Sequence, residues 1–474
     1  MKATLVSLCQ TDAAREAGRH ALTPELLAAT GARYSRNNEG VESIVARIDP
    51  SRLDASVDSI FRMIDYGHQS IADMVPVALF MDGISMWLAY YVWSLASVAG
   101  GQESSTRYIR ISPDLLLSAE TLGIPEDLRA QWRTDMERCF AYYERLEKAW
   151  SALSEVDPQV MRIPSTLLAD NSEKAAKQIA RMRRNYAFDR ARYMLPAGVS
   201  TNVMLVMSAR AWASLCCRLC SESLPEPNAL GEALRAELKL GAPRMLRHSG
   251  ASEDMRAGLA DAFAARVAMA KEGLPDALAA TATGPADATA HLEAYAPKDV
   301  DGAAMADALR HHSNRYAWQG APVLRTAVRF SWDAVTFAEL RDLNRHRTGT
   351  KYSTLVPRGF YAAEDQLPPR GTEAADALRD AVAEAAYFGR TMSRQAYRLL
   401  ADGNPAYVYW MLLGTQLDFE HVTTADKFIY EAELRTGTGS HYRYAQHLHD
   451  ALALWYARFP ETRGLVLEGE AEPE

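Results

Sequence analysis

Two segments of the chain carry the same parts in the same order, and this repetition constrains the fold more than any other feature of the sequence. The first reads GHQSIADMVPVALFMDGISMWLAYYVWSLASVAGGQESSTRYI, and the second reads AWQGAPVLRTAVRFSWDAVTFAELRDLNRHRTGTKYSTLVPRGF. Each contains a Gln, an extended apolar stretch, a helical stretch and a loop. When the two are aligned without a gap, Phe80 falls on Phe330. The chain is therefore predicted to contain an internal duplication.

Length and composition agree with two domains. At 474 residues the chain exceeds what one ordinary core holds, and a hydrophobic content of 48% is that of a globular protein. We predict a first domain over residues 1–240, connecting helices and a linker over 241–297, and a second domain over 298–474. The two domains are named the first copy and the second copy. The linker itself is placed at Leu274–Pro297, which is rich in Ala, Thr, Gly and Pro.

The predicted fold class is α+β, with a mixed sheet and long helices in each copy. The short apolar stretches Val77–Met81 and Val323–Phe330 are typical of strands. Asp127–Leu153 has apolar residues at steps of three and four, which predicts a long helix. The run from Ala327 to Asn344 is interpreted as mostly helical. Because no G-x-G-x-x-G follows a strand, a doubly wound dinucleotide-binding domain is not predicted.

The overall charge excludes one large class of partners. A net charge of -8 opposes broad, nonspecific binding to nucleic acid, which requires a positive field. No stretch has the pattern of a signal peptide or the length of a membrane span. The five cysteines are an odd number, with Cys216, Cys217 and Cys220 bunched together, and we interpret the bunch as a helix face, not a metal site. We expect a cytoplasmic protein that binds neither nucleic acid nor membrane.

One loop has the charge pattern of a small-anion site. The stretch RHRTGTKYSTLVPRGFY starts with Arg345, His346 and Arg347 and contains no acidic residue as far as Tyr361. Planar guanidinium groups bind phosphates and carbonyls in a bidentate manner, and an imidazole donates a hydrogen bond in either charge state. In a chain that is acidic overall, such a basic cluster indicates a site for a small anion.

This loop resembles half of the signature of the flavin-dependent thymidylate synthases, which is Arg-His-Arg, seven residues, and then Ser-any-Arg-Tyr. The second copy has Arg345-His346-Arg347, but Leu355 and Pro357 stand where Ser and Arg are expected. The first copy has the opposite loss: Ser105, Arg107 and Tyr108 match, while Leu95-Ala96-Ser97 fills the Arg-His-Arg slot. Neither copy is complete, and together they make one whole motif.

The resemblance extends over most of the chain outside the linker, and it implies roles for individual residues. ARYSR, ARYMLP, SARAW, EAELRTG and GHQS are similar to further family segments, with Ser208 replacing an Asn. The implied cofactor-binding residues are Arg345, His346, Arg347, Ser35, Ser208 and Arg210. The implied substrate-binding residues are Ser105, Arg107, Glu103, Arg192 and Arg435. Catalytic roles are implied for Arg435 and His68. Asp342 is an acid where a member of the family has a Gln, and because an acid repels a neighbouring phosphate, it disfavours ordinary dUMP.

What the resemblance implies is methyl transfer to C5 of a uracil nucleotide, with FAD as cofactor and methylenetetrahydrofolate and NADPH as co-substrates. Reduced flavin passes on the one-carbon unit and supplies the hydride, so no cysteine attack is expected. Members of the family place active sites between subunits of a homotetramer, so a homodimer of duplicated chains is expected. The composite site is expected between chains, although the linker would serve either geometry. Two alternatives stay open: an FAD-dependent enzyme with a non-nucleotide acceptor, and a noncatalytic flavin- or nucleotide-binding scaffold.

Overall fold

The structure is a computed structural model that describes residues 1–36, 40–48, 53–61, 70–96, 98–280, 285–437 and 439–469. Within these ranges the strands are β1 (Lys2–Leu5), β2 (Pro76–Ser85), β3 (Gly100–Glu103), β4 (Ser200–Ser208), β5 (Ala290–Tyr295), β6 (Ala327–Thr336), β7 (Thr350–Tyr352), β8 (Gly359–Phe360) and β9 (Thr415–Thr424). They form two antiparallel sheets.

The α-helices in the same ranges are α1 (Asp12–Glu16), α2 (Pro24–Tyr34), α3 (Val41–Ala46), α4 (Leu53–Phe61), α5 (Ser70–Asp73), α6 (Met86–Leu95), α7 (Ala119–Leu122), α8 (Arg129–Val156), α9 (Ser165–Leu168), α10 (Glu173–Ala191), α11 (Ala209–Ser221), α12 (Pro225–Gly241), α13 (Glu253–Ala280), α14 (Gly302–Leu309), α15 (Ala321–Leu324), α16 (Phe337–Asn344), α17 (Glu373–Ala401), α18 (Ala425–Thr436) and α19 (Tyr442–Arg458). Short 3₁₀ helices cover Pro113–Leu115, Glu126–Leu128, Pro158–Met161, Arg192–Met194, Pro243–His248, Glu364–Gln366, Pro405–Tyr409 and Pro460–Thr462.

The chain divides into two compact units. The first unit consists of Met1–Ser105, Glu120–Gly123 and Val199–Phe263, and the second of Thr106–Ala119, Ile124–Gly198 and Ala264–Glu474. The long helices α8 and α10, which belong to the first copy in sequence, therefore lie in the second unit. The predicted boundaries of the copies describe the repeat, not these units, and they remain predictions.

In the first unit the sheet order is β1-β2-β4-β3. The register of β2 against β4 shifts between Met81 and Ile84, and α6 begins directly after the strand because the Ser85 side chain caps it by accepting from the Leu88 N–H at 2.9 Å. Ser208 caps α11 in the same way after β4. α11 carries the three bunched cysteines, so the prediction of a helix there is confirmed.

In the second unit the sheet order is β5-β6-β9-β7, with β8 also paired to β9. The register of β6 against β9 shifts between Trp332 and Val335, and Thr336 with Glu339 forms a capping box that starts α16. The long helices α8, α10 and α17 pack together in this unit and bury Trp132 and Trp150. The predicted long helix at Asp127–Leu153 is thereby confirmed as α8.

The two sheets share their strand order and the place of their register shift, which supports the predicted duplication and an α+β fold. The gapless alignment is wrong by one residue at the second strand. Counted from the caps Ser85 and Thr336, Phe80 corresponds to Ser331, not to Phe330. At the third strand the gapless alignment holds, because Gly100 pairs with Val206 and Thr350 with Val422. Between the cap of the helix and the start of the third strand, the second copy therefore has one residue fewer than the first copy.

Two local predictions are corrected. The run from Ala327 is a strand as far as Thr336 and only then a helix, because Val328, Phe330 and Trp332 alternate into the core with a period of two. The predicted linker is wrong over most of its length: α13 continues to Ala280, and β5 pairs with β6 throughout. Its small residues concealed the alternation that makes β5 a strand.

Candidate anion-binding site

The Arg-His-Arg loop begins where α16 ends. Arg345 is the C-cap of that helix and is half-buried in an ion pair with the Asp342 carboxylate one turn earlier. His346 is buried and Arg347 is exposed. The pairing of Arg345 with Asp342 compensates the charge of the acid that departs from the family pattern. Asp342 is therefore less of an obstacle to anion binding than the sequence alone indicates.

His346 connects the loop to α18. The Arg435 Nε–H donates to His346 Nε2 at 3.0 Å, and Arg435 Nη2 donates to the Asp342 carbonyl oxygen at 3.3 Å. Burial lowers the pKa of the His346 imidazole to about 3, with Arg435 acting in the same direction against Glu431. The ring is therefore neutral at pH 7 and uses Nε2 as an acceptor.

A buried carboxylate also lies near Nε2 of His346. Glu431, one turn before Arg435 on α18, is 3.6 Å from His346 Nε2 through Oε1 and 3.1 Å from His421 Nδ1 through Oε2. Burial raises the pKa of the Glu431 carboxyl, but His346, His421 and Arg435 outweigh burial, and the pKa is lowered on balance. Glu431 is therefore ionised at pH 7.

Arg192 and Arg435 share one aromatic neighbour. Their guanidinium carbons each lie 5.8 Å from the centroid of the Tyr444 ring. Arg192 is only 6% exposed, donates through Nη2 to the Tyr444 hydroxyl at 3.4 Å, and has a buried Nε without a hydrogen-bond partner in the described part of the chain. Burial disfavours its charge, but Asp189 and Asp342 raise the pKa of Arg192 above its ordinary value. Arg192 is therefore a buried cation with donors to spare.

Arg107 lies in the same unit and is held by an acid. It forms a bidentate pair with Asp189, at 3.1 Å from Nε and 2.5 Å from Nη2, and its Nη1 donates to the Gly439 carbonyl oxygen at 2.9 Å. Burial lowers the pKa of His441 well below its ordinary value, and Arg192 and Arg107 act in the same direction. Arg107 of the first copy thus contacts the loop that follows Arg435 of the second copy, within one chain.

The remaining predicted residues lie in the first unit or outside the described residues. Arg210 pairs with Asp73 at 2.7 Å, and the Ser208 hydroxyl is 3.3 Å from the same carboxylate. The Ser35 hydroxyl donates to the Ala32 carbonyl of its own helix at 3.0 Å. Glu103 is the last residue of β3, Ser105 is half-buried, and His68 lies outside the described residues. The roles assigned to all these residues remain predictions.

The donor set in the second unit fits a phosphate-bearing group such as FAD or a nucleotide. Arg192 has its unpartnered Nε, and Arg435 Nη1 likewise makes no hydrogen bond to the residues that the structure describes. Guanidinium donors of this kind match phosphate oxygens. In the described ranges no three or more His, Cys, Asp and Glu side chains are grouped to hold a metal ion. Searched over the same ranges, no helix is long and apolar enough to span a membrane.

Sequence reasoning missed several members of this cluster. Glu431 stands four residues before Arg435 in the segment EAELRTG, and that spacing on a helix places both on one face, which is a usable signal. Tyr444 and His441 follow in the next helix and its cap. His421 carries no local signal, because it reaches Glu431 from the neighbouring strand β9.

Comparisons with known proteins agree with the resemblance. Residues 19–244 match the model of the family described as thymidylate synthase complementing protein. The UPF0159 protein Ta1429 of Thermoplasma acidophilum is 25% identical over 232 residues, which are 45% of this chain and 46% of that protein. The chain therefore spans about half the length of this curated relative.

Two solved structures are also similar. One is the UMP/dUMP methylase PolB from Streptomyces cacaoi bound with 5-Br dUMP, at 15% identity and a TM-score of 0.31, over 52% of this chain and 93% of that one. The other is thymidylate synthase X from Helicobacter pylori with FAD and dUMP, at 16% identity and a TM-score of 0.29, over 54% of this chain and 99% of that one. At these TM-scores neither establishes a shared overall fold. The matched residues 19–244 make up just under half of the chain, and the match agrees with the resemblance carried by the signature.

Proposed function

We propose that the protein transfers a methyl group to C5 of a uracil nucleotide, which is dUMP, UMP or a related nucleotide. FAD is the proposed cofactor, and methylenetetrahydrofolate and NADPH are the proposed co-substrates. When bound, the flavin would carry the one-carbon unit and supply the hydride. The family match supports the class of reaction, and the arginine cluster of the second unit supports an anionic ligand.

One observation carries the proposal for a nucleotide. Arg192 is a buried cation whose Nε has no partner in the described residues, and Arg435 lies against the same Tyr444 ring. A buried charge without a hydrogen-bonded counterion is costly, and a ligand phosphate would satisfy it. Arg192 and Arg435 would thus bind the phosphate, with Arg435 oriented by His346 and by the Asp342 carbonyl.

We further propose that this composite site forms within one chain and that the chain assembles as a homodimer. The within-chain arrangement replaces the between-chain expectation, because Arg107 and Arg192 of the first copy lie in one compact unit with His346 and Arg435 of the second. The homodimer rests on the family resemblance, and light scattering that showed a monomer at micromolar concentration would remove it.

The test combines flavin content with turnover. We expect the purified protein to be yellow with bound FAD and to release tritium from 5-labelled dUMP or UMP when methylenetetrahydrofolate and NADPH are present. If the protein binds flavin but releases tritium from no uracil nucleotide, the methyl acceptor is not a uracil nucleotide. A colourless protein that binds FAD under no condition would leave only a noncatalytic scaffold.

A matched pair of arginine variants locates the phosphate. Arg192→Lys keeps the charge but loses the planar fork, so nucleotide affinity should fall roughly tenfold, the loss of one charge-assisted hydrogen bond. Arg379→Lys is the control: Arg379 on α17 also has a buried Nε without a partner among the described residues, but it bonds the Pro368 carbonyl instead. Isothermal titration with dUMP and UMP should find the control unchanged, and equal losses in both variants would contradict the assignment.

A further inference from the structure

Helix α10 of the second unit exposes a row of cations along one side. Because they are spaced by three, four and three residues, they follow one another on successive turns of the helix. The row consists of Lys174, Lys177, Arg181 and Arg184, and it is named the basic face. Within the described ranges only Lys177 of this row has a partner, which is Glu173 of the same helix at 2.6 Å. The basic face therefore keeps a surplus of positive charge on a chain whose net charge is -8.

Helix α17 of the same unit carries the opposite pattern. Its exposed side has carboxylates spaced by three, four and four residues, which again places them on successive turns. They are Glu373, Asp376, Asp380 and Glu384, and together they are named the acidic face. Glu384 pairs with Arg145 of α8, and three residues further on Tyr387 is 72% exposed. The acidic face therefore keeps a surplus of negative charge and ends beside an exposed aromatic residue.

Neither face is explained by the stability of its own helix. Like charges three or four residues apart on a helix repel each other, and each face contains three such neighbouring pairs. Lys174 and Lys177 also lie in the first turns of α10, where the helix dipole disfavours cations. Both helices are held in the fold by their buried sides, which pack against α8. The two charged rows therefore point to a partner of opposite charge.

The basic face and the acidic face are complementary to each other. Their spacings differ by one residue at a single step, whichever way the two helices run, so four cations match four carboxylates along roughly 15 Å of helix. Within the described part of the chain no ion pair joins the two faces. A second copy of the chain supplies both missing partners at once, because a two-fold axis that places α10 on α17 of the partner also places α17 on α10 of the partner.

We propose that a second copy of this chain docks here, with the basic face of each copy on the acidic face of the other. Ala176 and Ala180 are exposed beside the cations, and such small side chains allow two helices to approach closely. Tyr387 would add the aromatic contact that is common at protein interfaces. This inference rests on the proposed homodimer, which it deepens by naming the interface, and not on the proposed reaction.

The experiment reverses the charge of each face at exposed positions and measures association of the full chain by sedimentation equilibrium at low ionic strength. The reversed basic face is Lys174→Glu, Arg181→Glu and Arg184→Glu; the reversed acidic face is Glu373→Lys, Asp380→Lys and Glu384→Lys; and the control is Lys239→Glu, Arg256→Glu and Lys271→Glu. The control changes the net charge as much as the reversed basic face does, but at exposed cations of α12 and α13. Circular dichroism verifies that each variant is folded.

We expect the wild type and the control to be dimers. Each reversed variant should have a dissociation constant raised roughly a hundredfold or more, because like charges then face each other in both contacts. An equimolar mixture of the two reversed variants should form a heterodimer, since both of its contacts again join opposite charges. A chain with both faces reversed should dimerise as the wild type does.

Two results separate this interface from the homodimer itself. A dimer that survives reversal of either face overturns the interface, and so does a mixture of reversed variants that fails to associate, while the homodimer stands on another surface. A monomeric wild type overturns both, and tritium release still tests the reaction. If the reversed acidic face does not fold, the reversed basic face decides alone, because its three residues have no partners within the described ranges.

Discussion

The loops that follow α6 in the first copy and α16 in the second copy are carried by the same strand order, but the two copies differ in the side chains at corresponding positions. Counted from the helix caps Ser208 and Thr424, the positions of His421 and Glu431 in the second copy are held by the buried Leu205 and Leu215 in the first. His346 itself corresponds to Leu95 counted from the helix cap, or to Ala96 counted back from the next strand. One scaffold thus folds with either apolar or charged side chains at these positions.

The corresponding arginines of the two copies, Arg218 and Arg435, differ in whether an acidic side chain compensates their charge. Arg218, one residue out of register with Arg435, donates to the Tyr91 hydroxyl at 2.8 Å and lies 3.5 Å from the Glu222 carboxylate. Its charge is compensated within the first copy. Arg435 makes its hydrogen bonds to neutral acceptors, the His346 ring and the Asp342 carbonyl. The comparison teaches that position in the repeat predicts the backbone, while the partners of each arginine decide whether it can bind a ligand.

The largest expected effect separates these two arginines. Arg435→Ala should lower kcat/KM for methyl transfer by roughly a hundredfold, because it removes a charge-assisted contact to the substrate phosphate worth about 1.5 to 3 kcal/mol. Arg218→Ala should change kcat/KM little, because its partners are internal. Steady-state tritium release measures both, with circular dichroism to confirm folding. Comparable losses in the two variants would remove the asymmetry between the copies.

Mixing two inactive variants tests where the composite site forms. Arg192→Ala damages the first copy and Arg435→Ala the second, and a site within one chain leaves a lesion in every site of a mixed dimer. We therefore expect no activity to return after subunit exchange, with exchange verified by co-purification of two different tags. Partial recovery would show that copies from different chains combine.

A smaller effect concerns flavin retention by the two loops. Arg345→Ala should weaken FAD binding roughly tenfold, since one charge-assisted contact is worth about 1.5 to 3 kcal/mol. Ser94, its counterpart counted from the cap, is exposed, and Ser94→Ala should leave the affinity unchanged. Equilibrium dialysis against FAD gives both constants. Loss of flavin from the Ser94 variant would mean that the first loop also binds it.

The smallest effect is on stability against pH. The folded pKa of His346, about 3, is below the unfolded value, so its contribution is present above about pH 6.5 and is lost as the pH falls toward 3. Lowering the pH from 7.5 to 5.5 should therefore reduce the free energy of unfolding by about 1.4 kcal/mol through this one group. His346→Leu, which copies Leu95, should remove that increment in urea titrations at the two pH values. An identical pH dependence in both proteins would contradict a buried neutral His346.

The sequence predicted the parts of the molecule that depend on local pattern. The α8 helix follows from its apolar spacing, and the strand at Val77–Met81 follows from its short apolar run. The continuation of the strand from Ser331 to Thr336 was missed, because these residues resemble the start of a helix. The linker was misplaced, because small residues in α13 and β5 concealed their periods.

What the sequence could not predict depends on contacts between distant segments. Glu431 meets His421 and His346 only after β9, α18 and the loop have packed, and Arg107 meets Asp189 across 82 residues of chain. Such pairs have no spacing rule, so a motif identifies the cations but not the groups that orient or neutralise them.

The central claim is that each chain holds one working site, built on the loop of the second copy, while the corresponding place in the first copy binds nothing. The most direct measurement is the number of FAD molecules bound per chain at saturation, from flavin absorbance against amino-acid analysis of the same sample. The account predicts one FAD per chain in the wild type and in Arg218→Ala, and a ratio well below one in Arg345→Ala at the same free FAD concentration. A ratio of two in the wild type, or an undiminished ratio in Arg345→Ala, would contradict it.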